Sequence, residues 1–242
     1  MPGKEYHKET ALLQASMIVD WKRKRGVYNF QSLPGKAIVA LSHQAFTPQL
    51  NLFSKKIRGI NGRISAEGEY LFCSGFGNGA PALITVLEEL RALGVSEFIF
   101  IGLCAALTTE ISPGNAFYVK QAWSASGITA SYFPDAMIEP YDPVYVQELA
   151  TLCSLSGITC CSTDNPFRET PVFLQEARAQ GCQLIEMECA AVYAFAHFYK
   201  VKAACLLIAA DQITERWVAP SDMASLLAVQ QQLVGRIVKR KS

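Results

Sequence analysis

Short, unbroken apolar runs alternate along this chain with longer stretches in which apolar residues recur every three or four positions. Residues 36–41, 70–73, 97–101 and 203–210 carry consecutive apolar side chains after at most one leading charged residue (Lys36, Glu97), the pattern of strands covered on both faces. Residues 116–122 and 158–161 read as two further strands. Residues 9–25, 81–93, 143–156, 170–180 and 189–200 have helical spacing. Pro81 suits a first helical turn, where its missing N–H would have no partner anyway. Ser221-Asp222 is an N-cap signal for a last helix running to about Lys239. Strands and helices in alternation predict an α/β fold: a single domain with a central mixed, mostly parallel sheet flanked by helices on both faces. Residues 1–35 read as an N-terminal helical extension and 36–242 as the α/β domain, with no linker or repeat between them.

Composition narrows the classes. Half of the 242 residues are hydrophobic, and the formal net charge is +1. That balance gives no electrostatic footprint for nucleic acid or a membrane surface. The basic runs 22–25 and 239–241 read as solvated helix faces or tails. Eight cysteines sit mostly inside apolar runs without a CxxC pair, so buried free thiols are expected rather than disulfides, zinc or any other metal site. The N-terminus is polar, and no run approaches the roughly 18 apolar residues of a membrane helix. A cytoplasmic protein is the expectation.

Candidate chemistry collects where apolar runs end. In open α/β sheets, ligands bind outside the carboxyl ends of strands. Ser42-His43, Gly75 to Gly79, Gly102 to Ala106, Ser162 to Arg168, Glu186 to Glu188, and Asp211 all fall at such ends. A buried carboxylate must be paired, hydrogen-bonded or functional. Glu186 and Glu188 are two residues apart, so on an extended segment they point the same way, with Met187 opposite. One of them suits a vicinal diol, because a carboxylate accepts two hydrogen bonds side by side; both equally suit backbone N–H groups or arginines. Asp211 is either the cap of a short turn or a general acid. The glycines at 75, 77 and 79 suit a tight strand-to-helix turn or a backbone anion cradle. A lone histidine after a strand, as His43 is, is more often a structural hydrogen-bonder than a catalyst, and His197 reads as structural.

Several segments carry a resemblance. Arg58-Gly59-Ile60-Asn61-Gly62, Gly75-Phe76-Gly77-Asn78-Gly79 and Ile101-Gly102-Leu103-Cys104-Ala105-Ala106 are similar to the nucleoside phosphorylase family, in its hexameric purine nucleoside and uridine phosphorylase branch. Ile185-Glu186-Met187-Glu188-Cys189-Ala190-Ala191 resembles that family's V-E-M-E-x-A-A signature, and Ala209-Ala210-Asp211-Gln212-Ile213 resembles V-S-D-H-I. The resemblance runs in order from about residue 36 to 240.

The resemblance implies cleavage of the N-glycosidic bond of a nucleoside, with phosphate as co-substrate and no cofactor. Asp211 would protonate purine N7, Glu188 would bind the ribose 2′ and 3′ hydroxyls, and Met187 would pack on the sugar. Ile185, Glu186 and Phe167 would border the base. Arg58, Ser42, His43 and Gly102 are left as the phosphate contacts, because the family's other ligands are replaced. Phe100-Ile101-Gly102-Leu103 stands where relatives have R-x-G-S/T, and residues 41–46 stand where they have the G-D-P-x-R loop. The family also implies purine salvage and self-association as a dimer or hexamer, with His7 near a neighbour's sugar. Two alternatives stand beside phosphorolysis: hydrolysis by water, and a nucleoside-binding homologue without catalysis.

Overall fold

A computed structural model describes residues 6–239. Its strands are β1 (Lys36–Ala40), β2 (Lys55–Ile57), β3 (Arg63–Glu67), β4 (Tyr70–Ser74), β5 (Glu97–Ala106), β6 (Ala116–Ala125), β7 (Met137–Ile138), β8 (Ser156–Thr163), β9 (Leu184–Glu186), β10 (Lys202–Ile213) and β11 (Trp217–Val218). The α-helices are α1 (Ala15–Lys24), α2 (Ala80–Ala92), α3 (Pro143–Cys153), α4 (Pro171–Ala179), α5 (Cys189–Tyr199) and α6 (Met223–Val238). All the strands join one mixed sheet. Its centre, β4–β1–β5–β10, is parallel. β10 also pairs antiparallel with β6, and β9 pairs with both β8 and β5, so β5, β10, β6, β8 and β9 close on themselves. β4, β3 and β2 extend the sheet beyond β1.

Strand alternation explains the unbroken apolar runs. Ala37 and Val39, Leu71 and Cys73, Phe98 and Phe100, and Cys205 and Leu207 pack on one face with α2 and α5. Their neighbours Ile38 and Ala40, Phe72, Ile99 and Ile101, and Leu206 and Ile208 pack on the other face with α3 and α6. Both faces are covered, so polar residues have no place on these strands. α5 is buried on every side from Cys189 to Ala196, and it fixes the residues that precede it.

Several boundaries differ from the sequence reading for identifiable reasons. The first helix begins at Ala15 rather than near residue 9, because Gln14 supplies no side-chain cap and Leu12 and Leu13 find nothing to pack on. The helix predicted to 156 ends at Cys153, where Ser154 turns left-handed (φ 57°) and releases the chain into β8. β9 stops at Glu186. Glu188 is the N-cap of α5 (φ −135°, ψ −36°), so the two-residue periodicity expected for Glu186 and Glu188 fails there.

The residues before β1 are tied down by a polar knot. Lys22 on α1 donates from Nζ to Glu89 Oε1 and Oε2 (2.6 and 2.8 Å) and to the Gly59 carbonyl (2.7 Å). The Tyr28 hydroxyl donates to the same Glu89 (2.6 Å). Removing one member of such a pair strands the others away from water. Glu89→Ala is expected to lower the unfolding free energy by about 2–4 kcal/mol, measured by urea denaturation. A loss under about 0.5 kcal/mol, the scale of an ordinary surface change, would show that the knot is dispensable.

Candidate active site

The site begins with the acid that seats α5. Glu186 is buried, and its Oε2 accepts the backbone N–H groups of Glu188 and Cys189 (2.6 and 2.8 Å). Its Oε1 accepts the Ser162 hydroxyl and, more weakly, the Cys160 thiol at 3.7 Å. Ser162 in turn accepts the Ala190 N–H (2.9 Å). An anion at a helix N-terminus is favoured by the free amides and the helix dipole. Burial raises the Glu186 carboxyl, while its hydrogen bonds pull it down. Glu186 therefore faces inward as a cap.

That cap sends Glu188 the other way. Glu188 is 3% exposed, and its Oε1 accepts the Gly79 N–H at 2.7 Å. Gly79 is the N-cap of α2, and its φ of 86° favours glycine. A Cβ there would also sit 3.5 Å from the Met187 methyl group, so Met187 lies against the same turn. Burial first, and then the charge of Glu186, push the Glu188 carboxyl up to about 7, against the pull of the Gly79 and Met187 amides.

Asp211 stands on β10 just past a bulge. Ala209 is opposite Cys104, yet Asp211 is opposite Ala105, so the extra residue turns Asp211 out of the alternation that buries the rest of the strand. Its Oδ2 accepts the indole N–H of Trp217 on β11 (2.6 Å). Burial raises its carboxyl above the ordinary value, and the Trp217 bond offsets this in part. Glu169, in the turn before α4, is pushed up to about 7 by burial and then by the Asp211 charge. One Glu169 oxygen is buried without a hydrogen-bond partner.

The remaining sequence candidates are scattered along or beneath this edge. Ser42 caps the 3-10 turn 43–46, and its hydroxyl accepts the Gln44 N–H (3.3 Å). His43 is half-buried, with Nδ1 3.3 Å from the Ser74 hydroxyl. Burial, and then the nearby Arg63, hold the imidazole below its ordinary value. Arg58 is exposed just after β2. Gly102 lies mid-strand and buried, and a Cβ on it would meet the Phe100 ring at 2.7 Å. Ile185 is core, packed with Cys161 and Leu174. Phe167 is 94% exposed and joins none of the others within the chain. His7 lies in a short 3-10 turn, and His197 hydrogen-bonds the Glu139 carbonyl (2.9 Å). Ser162 belongs to the segment 162–168 expected at a strand end, whereas the sequence carries no such signal for Trp217, Glu169 and Arg63.

Among the described residues one group has metal-like spacing: Cys160, Glu186 and Cys189, with ligand atoms within 4.8 Å of one another. The donor set does not suit an ion. Burial pushes the Cys160 thiol up to about 12 and the Cys189 thiol well above its usual value. Both Glu186 oxygens already accept hydrogen bonds. All eight cysteines are free and buried. Among the described residues no helix is long and apolar enough to cross a membrane.

A mixed sheet closed on itself, with carboxyl groups at its strand ends, defines an α/β protein of the nucleoside phosphorylase fold. Two solved structures share it at a TM-score of 0.69. They are a uridine phosphorylase from Vibrio fischeri (17% identity, 84% of this chain and 90% of the other) and a purine nucleoside phosphorylase from Toxoplasma gondii in complex with immucillin-H (14% identity, 86% and 90%). A DeoD-type purine nucleoside phosphorylase from Mycoplasma genitalium is 25% identical over 187 residues, 70% of this chain and 77% of that protein. Residues 35–239 match the family model described as the phosphorylase superfamily, and the chain belongs to that family.

The raised acids have a measurable consequence. Glu188 and Glu169 ionise near 7 in the fold, against an ordinary 4.5, so the unfolded chain releases these protons first. The stability they contribute is fully present below pH 4.5 and is lost as pH rises through 7. In chemical denaturation, Glu188→Gln should show a shallower fall in stability across this range than the unaltered protein. Equal slopes would mean that Glu188 is not raised.

Proposed function

We propose that this protein cleaves the N-glycosidic bond of a purine nucleoside, transferring the pentosyl group to phosphate. The observation that carries this reading is the divergence of Glu188 and Glu186. One acid is consumed as a helix cap, which leaves the other at the Gly79 turn beside Met187. In its ionised form Glu188 accepts two neighbouring sugar hydroxyls. Asp211, raised by burial and held by Trp217, supplies a proton to N7 of the base. The C1′–N9 bond breaks with its electron pair going to the base, and a phosphate oxygen bonds to C1′ to give a pentose 1-phosphate.

The purine preference rests on Asp211, because an acid at this position has a ring nitrogen to protonate only in a purine. Phe167, exposed within one chain, and His7 are proposed to reach a neighbouring subunit's site in a homo-oligomer. A cytoplasmic role in purine salvage fits this reaction. Hydrolysis by water is the second reading, and one observation favours it. A cavity of about 130 Å³ past the end of β1, beside Leu103 within β5 and the first turns of α6, is lined by Leu41, Leu103, Met223, Leu226 and Leu227, with only Ser42, Gln44 and Gln230 as polar members.

Asp211→Asn is expected to lower kcat on inosine or adenosine by roughly 10²–10⁴-fold in the presence of phosphate. Full activity in that variant would remove Asp211 from the chemistry. The diol contact needs an ionised Glu188, so KM for the nucleoside should fall as pH rises through about 7, and Glu188→Gln should abolish this dependence while raising KM. A KM that is flat with pH in the unaltered protein would contradict the assignment.

A further inference from the structure

One acid beside the site has no task in the scheme above. Glu186 is a helix cap, Glu188 meets the sugar and Asp211 the base, which leaves Glu169. It precedes Thr170, the N-cap of α4, and one oxygen of its carboxyl is buried without a hydrogen-bond partner. Such an atom is unfavourable in a finished fold, and a ligand that donates to it supplies what is missing.

Strand register puts Glu169 and Asp211 on the same side of the sheet. Asp211 is the partner of Ala105, Ala105 is opposite Ile185, and Ile185 is opposite Cys161. Ala105, Ile185 and Cys161 pack with Leu174 and Ala177 of α4, so this row of side chains, with Asp211 at its end, faces α4. Ile213, two residues beyond Asp211, packs against the same cluster, whereas Gln212 between them is opposite Ala106 on the other face. α4 is fixed over the row at both ends. Phe173 in its first turn stacks on Trp123 with ring centroids 6.1 Å apart. Arg178 in its last turn donates to the carbonyls of Leu107 (3.0 Å) and Ile213 (2.9 Å). Glu169 thus enters this side of the sheet from the turn that starts α4. Its charge reaches Cys161 of the row, and the charge of Asp211 reaches its own carboxyl.

Among the described residues no ion pair involves either acid. Neighbouring carboxyls without a cation resist double ionisation, so the pair presents one O–H donor and one carboxylate acceptor. One edge of a 6-aminopurine is the complement of that arrangement, because N7 accepts and the 6-amino group beside it donates. A 6-oxopurine offers two acceptors on the same edge, and one of them would face a carboxylate.

We propose that Glu169 is a specificity residue, which accepts a hydrogen bond from the 6-amino group of the base whose N7 takes the Asp211 proton, and so selects 6-aminopurine over 6-oxopurine nucleosides. This rests on the purine nucleoside reading above. Glu169 keeps its charge throughout, and the only proton that moves is the one passing from Asp211 to N7.

Calorimetric titration of the full chain with adenosine and with inosine, alongside kcat/KM for base release from each, tests the assignment. The unaltered protein should favour adenosine by about tenfold or more, since the oxo base leaves the acceptor unpaired. Glu169→Gln should bring the ratio to within about twofold, because an amide donates to O6 as readily as it accepts from the 6-amino group. Comparing two ligands in one variant cancels any loss of folded protein. A binding preference that disappears in Glu169→Gln, with no base released by either protein, supports Glu169 as the reader of the base while removing the transfer reaction proposed above. Base release with an unchanged adenosine-to-inosine ratio in Glu169→Gln overturns the role of Glu169 and leaves that reaction standing. Equal affinity for the two nucleosides in the unaltered protein, a preference for inosine, or binding of neither at about 10 mM overturns it as well.

Discussion

The candidate site depends on one buried carboxylate. Glu186 takes two backbone amides at the start of α5, a hydroxyl from β8 and a thiol from the same strand. With an acid at 186 the chain must turn at Met187 to present its amides, and this turn ends β9 and starts the buried helix. Glu188 is thereby aimed at Gly79, 109 residues away in sequence. Without the Glu186 side chain, the amides of 188 and 189 and the Ser162 hydroxyl would lose their partner in a dry interior, a heavy penalty. The residue with the most hydrogen bonds is the support, and the one with fewer is free for a ligand.

Three acids, Glu169, Glu188 and Asp211, sit along this part of the fold with their carboxyls raised, and no ion pair involving any of them is found among the described residues. Burial without counter-charge favours the protonated form of such groups. On the proposed reading this suits a division of labour, in which one group donates a proton to a leaving base and another accepts sugar hydroxyls. The bulge after Ala209 and the two-residue strand carrying Trp217 are the local devices that hold Asp211 apart from the core of β10.

The sheet's centre was legible because its strands are covered on both faces and so read as unbroken apolar runs. β2 and β11 escaped because they are edge strands of three and two residues, too brief for a period to emerge, and β3, which lies between β2 and β4, escaped because Arg63, Ser65 and Glu67 break its apolar run. Arg63 and Trp217 lie on those strands and were missed with them. Glu188 and Asp211 stood out as acids at the ends of apolar runs. The different direction of Glu186 did not, because it follows from Ser162 and the α5 amides, and contacts between distant segments leave no local pattern. The burial of Gly102 follows from the aromatic ring two residues earlier on the same face of β5, a spacing present in the sequence and decisive only once the strand is known to run straight through it.

The central claim is that the Glu188 carboxylate, freed by the Glu186 cap, grips a ribose diol. Calorimetric binding of inosine compared with 2′,3′-dideoxyinosine at about pH 8, where Glu188 is ionised, tests it most directly. The account predicts that inosine binds at least tenfold more tightly, the scale of two hydrogen bonds to a charged acceptor. Equal affinity for the two ligands would contradict it.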